Sequence, residues 1–129
     1  AAPEIATPNF INNNSIIMRL RYHDFRMLFT GDAGWEEEQR VMATKKDLTS
    51  DVLKIGHHAG ADSTSEEWTR AVAAKVGLAS MPEWLSKDER GVRVSDLLSK
   101  TNMTIYQTWK HGHVEVQTDG RHFWMVMEK

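Results

Sequence analysis

Three side chains of this chain have the types and spacing to do chemistry together. Asp32 closes the run Leu28-Phe-Thr-Gly-Asp32, and His57 and His58 close the run Asp51-Val-Leu-Lys-Ile-Gly-His-His58. Each run is apolar and then meets glycine, the pattern of a buried strand that ends in a loop. In open α/β sheets, binding sites lie beyond strand ends. Two strands ending this way would bring a carboxylate and an imidazole pair together at one sheet edge. Carboxylate plus imidazole is a zinc or manganese ligand set. An aspartate can also bridge two ions about 3.5–4 Å apart, the spacing of two-metal hydrolases. Taken singly, the signals are weak. A lone Gly-Asp is more often a turn or a helix cap, and adjacent histidines are often half-buried packing.

The elements that must position these residues read outward from them. Residues 15–22 alternate apolar and polar as a strand, His23-Asp24 is a tight turn, and residues 25–30 return as the second arm of a β-hairpin. Met27-Leu28-Phe29 is continuously apolar, which implies burial on both faces. Residues 35–44 form a helix whose Glu36, Glu37 and Glu38 open it and whose Lys45-Lys46 follow it, as the helix dipole favours. After the strand at 51–56, a helix spans 65–75. Ser63 with Glu66, or Thr64 with Glu67, would cap it, and Trp68, Val72 and Ala71 would form its buried stripe. A strand is expected at 76–81, a loop at 82–91 with Trp84 and Leu85 folded inward, and a helix at 94–100. Strands at 103–109, 113–118 and 121–127, joined at His111-Gly-His113 and Asp119-Gly120, would close the chain as an antiparallel meander. The order β-β-α-β-α-β-α-β-β-β is an α/β pattern.

Composition narrows the function classes. The 129 residues are 40% hydrophobic and 26% charged, which suits one domain over 1–129 with a real core. A net charge of −2 gives no basic excess that points to nucleic acid, although a local patch keeps nucleic acid among the compatible partners. The absence of cysteine excludes a disulfide framework and a thiolate zinc site. No apolar run approaches the ~20 residues of a membrane span. Residues 1–14 read as an extended arm, or as the place where a longer protein was cut. Five Trp and seven Met are many for this length, and most are expected to fill the core.

In this order the segments resemble the C-terminal half of a metallo-β-lactamase-fold domain, in the branch of ComEC-type competence proteins and phosphorylcholine esterases. The residues that carry the resemblance are Asn12-Asn-Asn-Ser15, Phe25-Arg-Met-Leu-Phe-Thr-Gly-Asp-Ala33, Asp51 through His58, Ser63-Thr-Ser-Glu66 and Val114-Glu-Val-Gln-Thr-Asp-Gly120. The resemblance implies half of an αββα sandwich: a mixed sheet with helices on one face. It implies that Asp32 bridges metal ions, that one of His57 and His58 is a metal ligand, with His58 preferred, and that the other lines the pocket. The family's principal metal motif, His-x-His-x-Asp-His, belongs to the N-terminal half and does not occur in these 129 residues. His111-x-His113 does not replace it, because it sits in a turn with no Asp-His after it. Ala59-Gly60 stands where Gly-Ser is usual, and Gly91-Val92-Arg93 where Gly-His-Pro is usual.

Ligand count frames the functional expectation. A catalytic zinc takes three protein ligands and a water, and this chain offers Asp32 and one or two histidines. The resemblance therefore implies a metal-dependent hydrolase of phosphodiesters or related esters whose zinc or manganese site, binuclear in the family, forms only with the missing half. Asp32 and His58 would hold metal, a bound water would become hydroxide, and His57 would position the scissile group or act as a general acid. The expected partner is that N-terminal half or another copy of the chain, met through a bare apolar sheet face, and the expected substrate is a small phosphoester. The alternative is a degenerate, non-catalytic domain that works by association. A plain α/β domain with a chance Gly-Asp and His-His is the third reading.

Overall fold

The computed structural model describes residues 14–129. The arm expected at residues 1–14 lies outside that range except for Asn14. Strand β1 (Met18–Tyr22) turns at His23 and Asp24 into β2 (Phe25–Phe29), as alternation predicts. Strands β3 (Val52–Lys54), β4 (Val76–Ala79) and β5 (Thr104–Gln107) then add in parallel, giving one mixed sheet in the order β1-β2-β3-β4-β5. Parallel neighbours need crossovers. These are α1 (Trp35–Ala43), α2 (Glu66–Val72), and the pair α3 (Glu83–Ser86) and α4 (Glu89–Lys100). A short helix α5 (Thr108–His111) leads to a separate antiparallel hairpin, β6 (Val114–Thr118) and β7 (Phe123–Met127).

Side-chain alternation divides the core between the two sheet faces. Leu28, Leu53, Ile55 and Ile105 point to the helices and pack with Trp68, Val72, Val94 and Leu97. Met27, Val52 and Val76 point the other way, with Phe25, and meet Val116, Phe123 and Met125 of the hairpin. The Phe25 and Phe123 rings lie 5.6 Å apart. The hairpin turn is pinned to the sheet because the Gly120 carbonyl accepts from the N–H of both Asp24 and Phe25, at 2.7 and 3.1 Å. Each large side chain so enclosed stabilises the fold by roughly 1.5–3 kcal/mol. Helices therefore cover one face, and the antiparallel hairpin covers the other.

Several expectations change in detail. The C-terminal antiparallel pairing is present, but it joins two strands; β5 lies in the main sheet because its partner is β4, not β6. The second sheet face is not bare, since the hairpin occupies its centre. What stays open on that side is the β1 stripe of Met18 (58% exposed), Leu20 and Tyr22, with Ile16 before it. Residues 82–91 hold α3 and the start of α4 rather than a loop, and Trp84 is 70% exposed rather than folded inward, while Leu85 packs on the core. Of the five Trp only Trp68 is fully buried; Trp35, Trp84, Trp109 and Trp124 are exposed.

Candidate functional site

The four parallel strands all end at one edge of the sheet, and every residue singled out for chemistry lies beyond that edge. Asp32 follows β2, His57 and His58 follow β3, Ser80 to Pro82 follow β4, and Thr108 and Trp109 follow β5. Gly31 takes φ +55°, a backbone that side chains rarely adopt, and so turns the chain sharply enough to present Asp32. The Asp32 N–H donates to Ser15 Oγ at 3.3 Å, which ties this turn to the residues before β1. The two candidate turns are also joined: His57 N–H donates to the Gly31 carbonyl at 3.0 Å, and Thr30 Oγ1 donates to the Lys54 carbonyl at 2.8 Å.

His57, His58 and Ala59 hold φ of 48°, 52° and 63°, three successive non-glycine residues in the left-handed region. Such a run costs about 1–2 kcal/mol per residue and persists only where the surroundings impose it. Here they do. Ser63 Oγ donates to the carbonyls of Gly56 and Gly60 at 2.8 and 3.0 Å, and Gly56 N–H donates to Thr64 Oγ1 at 3.3 Å. A Cβ on Gly60 would come within 3.2 Å of His57 Nδ1 and 3.1 Å of Asp62 Oδ1, so glycine leaves room for that pair. Beneath the loop, Glu38 of α1 is buried and accepts from the N–H groups of Thr64 and Ser65. Arg93 of α4 donates to the Ser63 and Thr64 carbonyls from the other side. The helix cap differs accordingly from the expected Ser63–Glu66 or Thr64–Glu67 box. Ser65 is the N-cap, its Oγ accepting from Trp68 N–H at 3.1 Å, and the glutamate that completes the cap comes from α1.

The two histidines point differently. His58 Nδ1 lies 2.6 Å from the Ser80 carbonyl, which can only accept, so Nδ1 carries the proton and the lone pair of a neutral ring sits on Nε2. That Nε2 faces Asp32 Oδ1 at 4.0 Å, with both side chains about half exposed. Two electron-pair donors thus face one another beyond hydrogen-bond range, an arrangement completed by a proton or a cation. A histidine whose Nδ1–H is held by a backbone carbonyl is oriented as metal-binding histidines are. His57 instead turns Nδ1 to Asp62 Oδ1 at 3.1 Å. The structure therefore brings together Asp32 and His58, and gives His57 a different carboxylate. His111 bonds the Gln107 backbone through Nδ1, and His113 is exposed near Glu115.

Lys54, which the sequence reading passed over, belongs to this neighbourhood. Burial lowers its ammonium from the usual 10.5, while the charge of Asp32 opposes that shift. A lysine inside the apolar run Val52-Leu-Lys-Ile55 was the available signal. As for a metal, Asp32 and His58 are two donors where a protein site for zinc takes three or four. Among the described residues no group of three or more His, Cys, Asp or Glu is placed to hold an ion. These residues do not fit a complete metal site by themselves.

No family model matches the chain. It is similar to ComE operon protein 3 of Bacillus subtilis (strain 168), with 28% identity over 120 residues. That similarity takes in 93% of this chain but 16% of the relative, so the chain spans about a sixth of the length of the protein it matches.

Proposed function

We propose that this domain supplies one wall of a metallo-β-lactamase-like hydrolytic centre for phosphodiesters or related esters, and that donors from another segment or chain complete it. The observation that carries the reading is the disposition of His58: Nδ1–H tied to the Ser80 carbonyl, Nε2 left free and turned to Asp32 at 4.0 Å. The strained, internally bonded loop supports it, because backbone strain held in place by surrounding contacts concentrates at functional sites. When bound, zinc or manganese would contribute a water acidic enough to ionise near neutral pH. The chain's own part is to fix the His58 tautomer and to hold Asp32 opposite it. It also holds His57 to Asp62 through Nδ1 at 3.1 Å.

The similarity to ComE operon protein 3 covers a stretch that includes little of that protein, and it supports kinship rather than a particular substrate. The β1 stripe of Ile16, Met18, Leu20 and Tyr22 is the surface through which the completing segment, or a second copy, would associate.

Elemental analysis tests the reading, on the purified chain and on the protein in its natural length. We expect the chain alone to hold metal poorly. We expect the completed protein to retain about one equivalent or more of zinc or manganese, lost on chelation and in Asp32→Ala and His58→Ala. Retention below ~0.1 equivalent in the completed protein would overturn it.

A further inference from the structure

We propose that the outer edge of β1 is a docking edge for an extended polypeptide segment that alternates apolar and acidic side chains and adds to the main sheet as a further strand. β1 is the terminal strand of that sheet, so its outward N–H and C=O groups face no strand among the described residues. Its register on β2 runs unbroken from Met18 to Tyr22, with no bulge and no proline to blunt the edge. Such an edge is the template that strand addition uses.

The two faces of β1 set the pattern of the incoming strand. Met18, Leu20 and Tyr22 lie opposite Phe29, Met27 and Phe25, on the hairpin side of the sheet, and are about half exposed. An added strand would cover them with apolar side chains of its own. Arg19 and Arg21 alternate with them and lie on the helix side, opposite Leu28 and Arg26. The charge there is unbalanced. Arg21 directly opposite Arg26 is a like-charge pair of the kind that weakens a sheet. Arg19 and Arg26 share one carboxylate, Asp47, at 3.6 and 3.9 Å. Arg21 donates from Nε to the His23 carbonyl at 3.2 Å and has no ion-pair partner among the described residues. The depression that these side chains line holds three arginines and His23 against Asp24 and Asp47. A strand whose acidic side chains fall beside Arg19 and Arg21 supplies the missing charge. A second copy does the opposite: β1 continued antiparallel by the β1 of another copy would set arginine against arginine and extend the Arg21–Arg26 row. Residues 1–13 hold one acidic side chain, Glu4, and so do not supply the pattern. The charges therefore select a foreign acidic strand. That this strand belongs to the segment completing the Asp32 site rests on the proposed function; the pairing itself does not.

Two synthetic peptides provide the test. One alternates valine with glutamate, the other valine with lysine, and each is N-methylated along one edge so that it pairs once and does not stack on itself. Each is titrated into the whole chain in chelator while the backbone amide resonances are followed. We expect the glutamate peptide to bind saturably with a Kd below ~1 mM and to give its largest shifts in β1. The lysine peptide should bind about tenfold more weakly, because the Arg19 and Arg21 rows turn from attractive to repulsive. Arg21 is exposed, so Arg21→Glu leaves the fold in place. It should narrow the preference about threefold or more, weakening the glutamate peptide and strengthening the lysine one. No saturable binding by ~1 mM, equal binding of the two peptides, shifts centred away from β1, or an unchanged preference in Arg21→Glu would overturn the proposal. Because the titration is metal-free, a negative result here is separable from a failure of the metal reading, and the reverse.

Discussion

His57 sits at φ 48° and ψ 43°, where an L side chain is strained and glycine is not. Replacing it tests how much of the local geometry is imposed. His57→Gly and His57→Ala both remove the ring and its bond to Asp62, but only glycine relaxes the backbone. The glycine variant should therefore be the more stable of the two by about 1 kcal/mol in urea unfolding. Equal stabilities would mean that the loop does not hold residue 57 in the left-handed region. Asp32 is half exposed at a turn, and Asp32→Ala should change unfolding free energy by no more than about 0.5 kcal/mol. A much larger loss would make the carboxylate structural. At this scale the sequence revealed the end-of-strand positions of Asp32, His57 and His58, because an apolar run closing on glycine is a local signal. It did not reveal which histidine faces Asp32. That depends on the Ser80 carbonyl, which β4 brings in from 22 residues away. Trp109 was expected to close the strand at 103–109 for a similar reason: only the register of β5 on β4 shows that the strand ends at Gln107 and that Trp109 lies in α5.

Glu38 links α1, the histidine loop and α2 in one contact set. Burial pushes its carboxyl above the ordinary 4.5, against hydrogen bonds from Ser65 and Thr64 and the charge of Arg93, which pull it down. The folded chain then keeps this proton to a higher pH than the unfolded chain does. The Glu38 contribution is thus fully present below pH 4.5, and stability falls as pH rises from there through the folded value. Glu38→Gln should flatten that slope and cost about 1–3 kcal/mol at neutral pH, since one amide oxygen replaces a carboxylate that serves two N–H donors. Urea midpoints measured across mildly acidic pH check both parts, and an unchanged slope would remove Glu38 as its source. Most elements were legible because their periodicity is local: both hairpins, α1 and the parallel strands lie where alternation and apolar runs place them. The cap of α2 was misplaced because its glutamate is 27 residues upstream of Ser65, beyond any local motif. Residues 82–91 looked like loop because Pro82 and Gly91 punctuate them, yet Asp88 caps α4 by accepting from Arg90 N–H.

For the molecule as a whole, the C-terminal hairpin closes one face of the sheet. Phe123→Ala, which removes the ring packed on Phe25, should destabilise by roughly 2–4 kcal/mol in urea unfolding. A loss under about 0.5 kcal/mol would place the hairpin outside the cooperative unit. The uncovered β1 stripe should reveal itself in sedimentation. The chain is expected to associate with itself or with its completing partner, and Leu20→Lys should weaken that association. A monomer at all concentrations, partner present, would count against it. The pinning of the β6–β7 turn by Gly120 also has a consequence in time. Phe25 and Phe123 are separated by roughly a hundred residues, so their contact closes late, after nearer segments have paired. During synthesis, Met27, Val52 and Val76 must wait with one side uncovered until the last strand has left the ribosome. The sheet is therefore most vulnerable to aggregation before β7 emerges, and a truncation that removes β7 should lengthen that exposure indefinitely.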